Sequence, residues 1–354
     1  MLDLDGLLIE SLNRGASDLH LTVGVPPMVR CHGSLCPLDA PVLTADDTRG
    51  LVYSILTEEQ QAELEDRWEF DLAHSVPGHA RFRVNVYMQR GGIGAAFRAI
   101  PMRIRSFEEL GIPPRVADLV LKPRGFVLVT GPTGSGKSTT LATMIDHINK
   151  HRTDHIITIE DPIEYLHTHG RSVINQREVG ADTKSFATAL KYILRQDPDV
   201  VLIGEMRDLE TVSAALTAAE TGHLVLATLH TQDAAQTIDR VIDVFPPHQQ
   251  QQVRVQLAGT LQGIVSQQLL PTADGLGRAV ATEILVVTPA VRNLIREGKT
   301  HQIQTTIETG HQHGMITMDR SLATLCKRGI ITRETAMQRA IDVKVLSELL
   351  ARAS

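Results

Sequence analysis

The run Phe126-Val127-Leu128-Val129-Thr130 is short, apolar and rich in β-branched residues, and it leads directly into Gly131-Pro132-Thr133-Gly134-Ser135-Gly136-Lys137-Ser138-Thr139. A helix-patterned stretch, Thr140 to Asn149, follows. Strand, glycine loop and helix in that order leave few folds open, because the loop needs a strand to launch it and a helix to close on. Gly131, Gly134 and Gly136 let the backbone curl until successive N–H groups face one point, and the helix start adds its positive dipole end. Such a concavity attracts an anion. The run matches G-x-x-x-x-G-K-[ST], in which Lys137 would neutralise the β- and γ-phosphates of a nucleotide and the Ser138 hydroxyl would bind Mg²⁺. Pro132, Thr133, Ser135 and Thr139 complete the cradle. The chain is expected to bind ATP with Mg²⁺.

At 354 residues the chain has room for about two domains, each with its own core. Its 42% hydrophobic and 21% charged content is that of an ordinary soluble globular protein. No apolar run approaches the roughly 18 residues of a membrane span, and Asp3, Asp5 and Glu10 do not fit a signal peptide. A cytoplasmic protein is expected, with docking on a membrane machine still open. The net charge of −6 gives no basic footprint for nucleic acid, and 3% aromatic content leaves little for base stacking. Cys31, Cys36 and Cys326 are too scattered for a disulfide framework or a C-x-x-C zinc site. No zinc is expected.

Two patterns divide the chain. Residues 1–100 read as a small α/β unit: a helix over Leu2 to Leu12, strands at Asp18–Thr22 and Pro27–Cys31, and one or two helices over Asp46 to Asp66. Phe70–Ala73, Ala80–Gln89 and Gly94–Ile100 then read as an antiparallel meander. The period-two alternation through Arg81, Arg83, Val84 and Val86 puts the arginines on one face. Prolines 101, 113, 114 and 123 mark residues 101–122 as a linker. From 123 to 354, strands at Phe126–Thr130, His155–Glu160, Val200–Ile203 and Leu224–Leu229 alternate with helices at Leu141–Lys150, Thr183–Arg195 and Leu209–Thr221. That order predicts an α/β domain with a mostly parallel sheet. Beyond about residue 232 the pattern is helical, apart from a strand pair near Gln267–Leu270 and Val280–Val286. His147, His151 and His155 recur every fourth residue, but Thr153-Asp154 should end the helix before the last of them, so no metal site is expected there.

The acids downstream of the loop set the reaction class. Ile156 to Ile159 form an apolar strand that runs into Glu160-Asp161-Pro162-Ile163-Glu164. Parallel sheets bind ligands at the carboxyl ends of their strands, so these acids should face the phosphates. Glu164 is the candidate to polarise or deprotonate the attacking water, although strand-end carboxylates also cap helices. Val200 to Ile203 lead into Gly204-Glu205-Met206-Arg207-Asp208, with Glu205 placed to reach Mg²⁺ through a water. His223 and His230 bracket the Leu224–Leu229 strand. Either could sense the γ-phosphate or link it to a neighbouring subunit, or serve as a satisfied structural histidine. No residue identifies itself as a reader of the base.

The loop at 131–139, the acidic box Thr158–Glu164, the box Gly204–Asp208 and the histidine box Thr221–Thr231 occur here in the order seen in secretion-type hexameric ATPases, which the chain resembles along essentially its whole length. Ala16-Ser17-Asp18-Leu19-His20-Leu21 is similar to the same superfamily. Within it the chain most resembles the type IV pilus retraction ATPases, the PilT-like twitching-motility motors. Those carry a helix reading A-I-R-N-L-I-R-E, and here Ala290-Val291-Arg292-Asn293-Leu294-Ile295-Arg296-Glu297 departs from it only at Val291. Without the resemblance this segment reads as an amphipathic surface helix. The resemblance implies a PAS-like N-terminal domain, a RecA-like ATPase core and a ring of six subunits. It also implies docking on an inner-membrane platform protein at the pilus base, with a paralogous retraction ATPase as a further partner. Arg81, Arg83 and Arg98 then become candidate γ-phosphate arginines, their other reading being a solvated strand face; Arg195 and Arg207 could serve instead.

Other readings of the same residues are a retraction accessory paralogue, a pilus assembly or type II secretion ATPase, a RecA-type nucleic-acid translocase, and an adaptor that binds ATP without useful hydrolysis. Assembly and type II secretion ATPases usually carry a tetracysteine zinc module, which three scattered cysteines do not supply. Net negative charge and scarce aromatics disfavour the translocase.

Overall fold

The computed structural model describes residues 2–31, 33–100 and 103–351. It separates into two units, residues 1–103 with 162–166, and 104–161 with 167–354. Pro101, part of the expected linker, lies outside the described residues. Residues 104–122 belong to the second unit, because Phe107, Ile112, Val116 and Leu119 are buried in its core.

The first unit is built from α1 (Leu4–Asn13), β1 (Asp18–Leu21), β2 (Met28–Cys31), β3 (Ser34–Pro37), α2 (Ala45–Tyr53), α3 (Glu58–Arg67), β4 (Glu69–Val76), β5 (Ala80–Gln89) and β6 (Gly92–Ile100). Its six strands pair antiparallel in the order β3-β2-β1-β6-β5-β4. The stretch Asp46 to Asp66 resolves into two helices because Thr57 opens a second one, its side chain bonded to the Gln60 N–H and the Gln60 side chain to its own. Strand β3 escaped the sequence pattern. It is a four-residue edge strand ending in Pro37, exposed throughout, so no alternation marks it. In β5 the alternation holds: Phe82, Val84 and Val86 are buried, and Arg83 is exposed beside Arg98 of β6. This is the PAS-like domain of the expected architecture.

The second unit opens with α4 (Phe107–Leu110) and α5 (Arg115–Val120). It continues through β7 (Gly125–Thr130), α6 (Lys137–His151), β8 (His155–Glu160), β9 (Val173–Glu178), α7 (Phe186–Ile193), β10 (Val200–Ile203), α8 (Leu209–Glu220), β11 (Leu224–Leu229), α9 (Ala234–Asp243) and α10 (Pro247–Thr260). Then come β12 (Leu261–Pro271), β13 (Arg278–Val286), α11 (Pro289–Arg296), α12 (Ile303–Thr309), α13 (Met318–Lys327), α14 (Arg333–Arg339) and α15 (Val343–Ala351). The seven-stranded sheet runs β13-β12-β7-β11-β10-β8-β9, parallel except for β13 against β12. Every residue of β7 and β11 is buried, as strands covered on both faces must be. This is a RecA-like P-loop core with a helical C-terminal part. Helix α6 ends at His151 and His155 opens β8, so the three histidines never share a helix face.

Helix α11 carries the segment that resembles the retraction motif. Thr288 caps its start and Pro289 occupies the first turn, where a missing N–H costs nothing. Val291 and Ile295 are fully buried. Arg292 donates to the carbonyls of Ala258 and Gly259 in the last turn of α10, groups that have no partner within their own helix. Half of the motif is therefore structural, and Asn293, Arg296 and Glu297 face solvent.

Helix α9 is held from below. Asp233 caps it with an Oδ1 that accepts from the Gln236 N–H, and Glu283 of β13 accepts from the Ala234 N–H at 2.9 Å. Glu283 is 1% exposed and its Oε2 has no hydrogen-bond partner. Burial pushes its pKa up to about 7, the nearby Asp233 and Asp319 raise it further, and the backbone N–H groups of Ala234 and Met318 oppose the rise.

Two measurements follow from these contacts. Ile295→Ala is expected to cost about 2–5 kcal/mol in urea unfolding, and Arg296→Ala to stay within about 0.5 kcal/mol of the parent. Between the ordinary value of 4.5 and about 7 the native Glu283 keeps a proton that the unfolded chain has released. Stability should therefore fall as pH rises through that window, by at most about 1.4 kcal/mol per pH unit. Glu283→Gln should flatten the slope; an unchanged slope would place its origin elsewhere.

Candidate nucleotide site

The parallel sheet brings several carboxyl strand ends side by side. Leu229 of β11 stands opposite Thr130 of β7, and Ile203 of β10 lies between Ala227 of β11 and Ile159 of β8. The residues that follow these ends are the glycine loop, His230, Gly204-Glu205 and, on β8 itself, Glu160. The strand ends thus gather one set of the sequence candidates into a single site.

The loop has the glycines its path demands. Gly131, Gly134 and Gly136 have φ of +143°, +76° and +90°, conformations that other residues adopt only under strain. At Gly131 a Cβ would sit 2.3 Å from the Gln267 carbonyl oxygen and 2.6 Å from the Ser135 Oγ. Gly136 is the N-cap of α6, so Lys137 and Ser138 open the helix and its positive end faces the loop. Lys137 Nζ donates to the carbonyls of Gly131 at 2.9 Å and Pro132 at 3.1 Å. A glycine-lined cradle with a helix start and a lysine fits a polyphosphate.

Lys137 also reaches His230, with Nζ 3.5 Å from Nδ1. The other ring nitrogen, Nε2, is 2.9 Å from Glu205 Oε1. With Nδ1 accepting from Lys137, Nε2 carries the proton that goes to Glu205. Arg207 grips the same carboxylate with two nitrogens, each at 2.7 Å. Burial works to raise the Glu205 pKa, but the Arg207 hydrogen bond, the Arg207 charge and the neighbouring His230 together hold it below the ordinary carboxylate range. Glu205 therefore stays an anion, chained through His230 to the lysine of the loop. The glycine before it has a packing cause: a Cβ on Gly204 would come within 3.3 Å of the Glu160 Cα and the Ile159 carbonyl oxygen. Arg207 is thus engaged with Glu205, and Arg195 is exposed beyond the end of α7.

His223 is not part of this cluster. It precedes β11 and lies at the opposite end of that six-residue strand from His230, about 23 Å of extended chain away. Its Nδ1 lies 2.9 Å from the Ala218 carbonyl oxygen and 3.1 Å from Thr221 Oγ1, so it closes the end of α8.

The remaining candidates lie in the first unit. Pro162 cannot extend the β8 ladder, and residues 162–166 belong with the antiparallel sheet. There the Arg81 Nε donates to the Ile163 carbonyl at 2.9 Å, and the Arg83 guanidinium is 3.8 Å from Glu164 Oε1. Arg98 pairs instead with Asp18, Nε to Oδ1 at 2.9 Å. The face shared by the three arginines thus engages different partners, with the Ile163 carbonyl beside Arg81, Glu164 beside Arg83 and Asp18 beside Arg98.

Two features escaped the sequence reading. Gln267, which the sequence marks only as part of a strand, is buried beneath the loop: its Nε2 donates to the Ser135 carbonyl at 2.7 Å, and its Oε1 accepts from Thr140 Oγ1 at 2.9 Å. Beside the loop, a cavity of about 340 Å³ is bounded by Ser135, Gly136, Thr139 and Thr140 at one end. Leu110, Ile112, Leu269 and Val280 supply its apolar walls, and Arg105, Glu109 and Arg278 its charges. No local signal could have found it, because its walls come from α4, the α4–α5 connection, β12 and β13, far apart in the chain.

A family model for type II/IV secretion system proteins matches residues 79–276. The chain is 50% identical over 342 residues to the "Type IV pilus retractation ATPase PilT" of Pseudomonas aeruginosa, covering 96% of this chain and 98% of that one. It is 49% identical over 321 residues to the "Twitching motility protein" of Neisseria gonorrhoeae, covering 91% and 86%. Among solved structures, a crystal structure of the pilus retraction motor PilT with bound ADP superposes with a TM-score of 0.91 at 49% identity, covering 98% of this chain and all of that one. The glycine loop and the acidic and histidine boxes thus stand in a chain that matches these relatives from end to end, and it belongs to the type II/IV secretion system protein family and, within it, to the type IV pilus retraction ATPases.

Proposed function

We propose that the chain hydrolyses ATP and that the work drives retraction of type IV pili, supporting twitching motility. The observation that carries this reading is the link from the glycine loop to the metal-side acid: Lys137, His230, Glu205 and Arg207 in one hydrogen-bonded chain at the carboxyl ends of parallel strands. A γ-phosphate and its Mg²⁺ would enter that chain where Lys137 and Glu205 now hold His230 between them. Lys137 would turn from the loop carbonyls to the phosphate oxygens, and His230 would carry the change to Glu205.

Mg²⁺ supplies charge neutralisation at the β- and γ-phosphates when bound. Ser138, in the first turn of α6, would hold it. Glu205 would support it through water, since Arg207 and His230 already occupy its carboxylate. The nucleoside would lie in the cavity beside Ser135 and Thr140, its base between the apolar walls. Glu164 would prepare the attacking water, with Arg83 beside it. Arg81 and Arg98 complete the set of arginines proposed to act on the γ-phosphate.

By its resemblance to the secretion-type hexameric ATPases, the chain would form a ring of six subunits, docked at the inner membrane on the platform protein of the pilus base, with a paralogous retraction ATPase as a further partner. Among the described residues no helix is long and apolar enough to cross a membrane. Docking would then be peripheral.

Lys137→Ala should abolish ATP binding. Glu164→Gln should still bind ATP while kcat falls by about 10²–10⁴; turnover at the parent rate would remove Glu164 as base. In cells lacking the gene, imaging should show abundant surface pili together with loss of twitching. Bald cells would assign the chain to pilus assembly instead.

A further inference from the structure

Gln267 stands on β12, one residue beyond the last pair that β12 makes with β7, Ser266 opposite Thr130. That position sets it against the first residue of the glycine loop. Its side chain is 1% exposed, and the loop groups it touches are as deeply buried, Ser135 and Thr140 at 2% each. The amide is used at both ends: Nε2 donates to the Ser135 carbonyl, and Oε1 accepts from the Thr140 hydroxyl. Only one orientation of the amide satisfies both contacts, because the Ser135 carbonyl can only accept. The neighbouring pair, Thr130 Oγ1 to Ser266 Oγ at 2.9 Å, ties the same two strands one step earlier.

The consequence is geometric. In a trans peptide the carbonyl and the following N–H point to opposite sides. A Ser135 carbonyl fastened to Gln267 therefore turns the Gly136 N–H to the other side of that peptide, and Gln267, Ser135, Gly136 and Thr140 all border the cavity. Gly136 has no room for a side chain without crowding the amide, since its Cβ would lie 3.2 Å from Gln267 Nε2. The Thr140 hydroxyl, one turn into α6, holds the amide so that it cannot rotate away.

We infer that Gln267 is a positioning residue for phosphate: it fixes the loop peptide that donates to the β-phosphate, and so sets nucleotide affinity through the loop. The inference rests on the ATPase reading above. It separates two parameters. A residue that shapes a ground-state phosphate cradle governs KM, whereas one that stabilises only the transition state governs kcat.

The test uses the full chain with Gln267→Met, similar in length but without either hydrogen bond, and Thr140→Val, which removes only the hydroxyl that orients the amide. ADP binding is followed by calorimetry and ATP turnover by phosphate release. Gln267→Met should raise the ADP Kd and the KM for ATP by about ten- to hundredfold, with kcat within about threefold of the parent. Thr140→Val should give a smaller rise, and adding it to Gln267→Met should weaken binding no further, because both substitutions break one arrangement. An unchanged Kd in a folded Gln267→Met variant overturns the inference, as does a collapse of kcat at constant KM. Should Gln267→Met fail to fold, Thr140→Val decides: a parental Kd in that variant overturns the inference, and a severalfold rise supports it. If the unmodified chain itself binds no ADP, the ATPase reading falls and this one with it; parental binding beside unaffected variants overturns this one alone.

Discussion

The pairing of β7 with its parallel neighbours is the constraint on which the rest of the structure depends. Leu224 through Leu229 of β11 lie in register with Gly125 through Thr130 of β7, and β12 joins the other side. Because the strands run the same way, their carboxyl ends finish at one level. The turn out of each end can then deliver a polar group to the same few ångströms. The apolar content of these strands makes that alignment rigid. Val127, Val129, Val225 and Leu226 are fully buried, and slipping the register would expose or cross them. A glycine loop on a floppy strand would have no fixed direction in which to present its N–H groups.

On that frame, electrostatics rather than packing decides the state of the site. Glu205 is partly buried, yet Arg207 and His230 keep it ionised, and His230 in turn meets Lys137. The lysine has carbonyl partners of its own in the loop. Its ammonium is thus held by dipoles that a phosphate, with full negative charge, would outcompete. A phosphate that drew Lys137 away would give this small network a second arrangement, the kind of local difference that a motor can amplify. Helix α9, which begins just after this network, is anchored by the buried Glu283, so movement at His230 meets a fixed support below it.

The retraction-like helix shows how a motif can serve two purposes. Val291 and Ile295 belong to the core, and Arg292 satisfies the carbonyl end of α10, whose chain continues directly into β12. Asn293, Arg296 and Glu297 remain outward and available to a partner. Losing twitching through Val291, Ile295 or Arg292 would therefore report on the fold, and only the outward residues test recognition.

Much of this was legible in the chain as written. The loop from Gly131 to Thr139, the strand order that makes the sheet parallel, the alternation in β5 and the paired capping residues are local patterns, each set by φ/ψ preference or by the burial of one face. The sequence by itself determined that a strand, a phosphate loop and a helix would meet, because those residues need no distant partner to adopt their conformations. Only the tertiary structure decided what supports them. Gln267 reaches Ser135 across 132 residues of chain, and Glu283 reaches Ala234 across 49. It also joined His230 to Lys137 and Glu205 while turning His223 to the end of α8, and put Glu164 beside Arg83. Contacts of that kind come from sheet order and register, which no single segment encodes, and a buried amide or carboxylate acquires its role only from the neighbours that the fold brings to it.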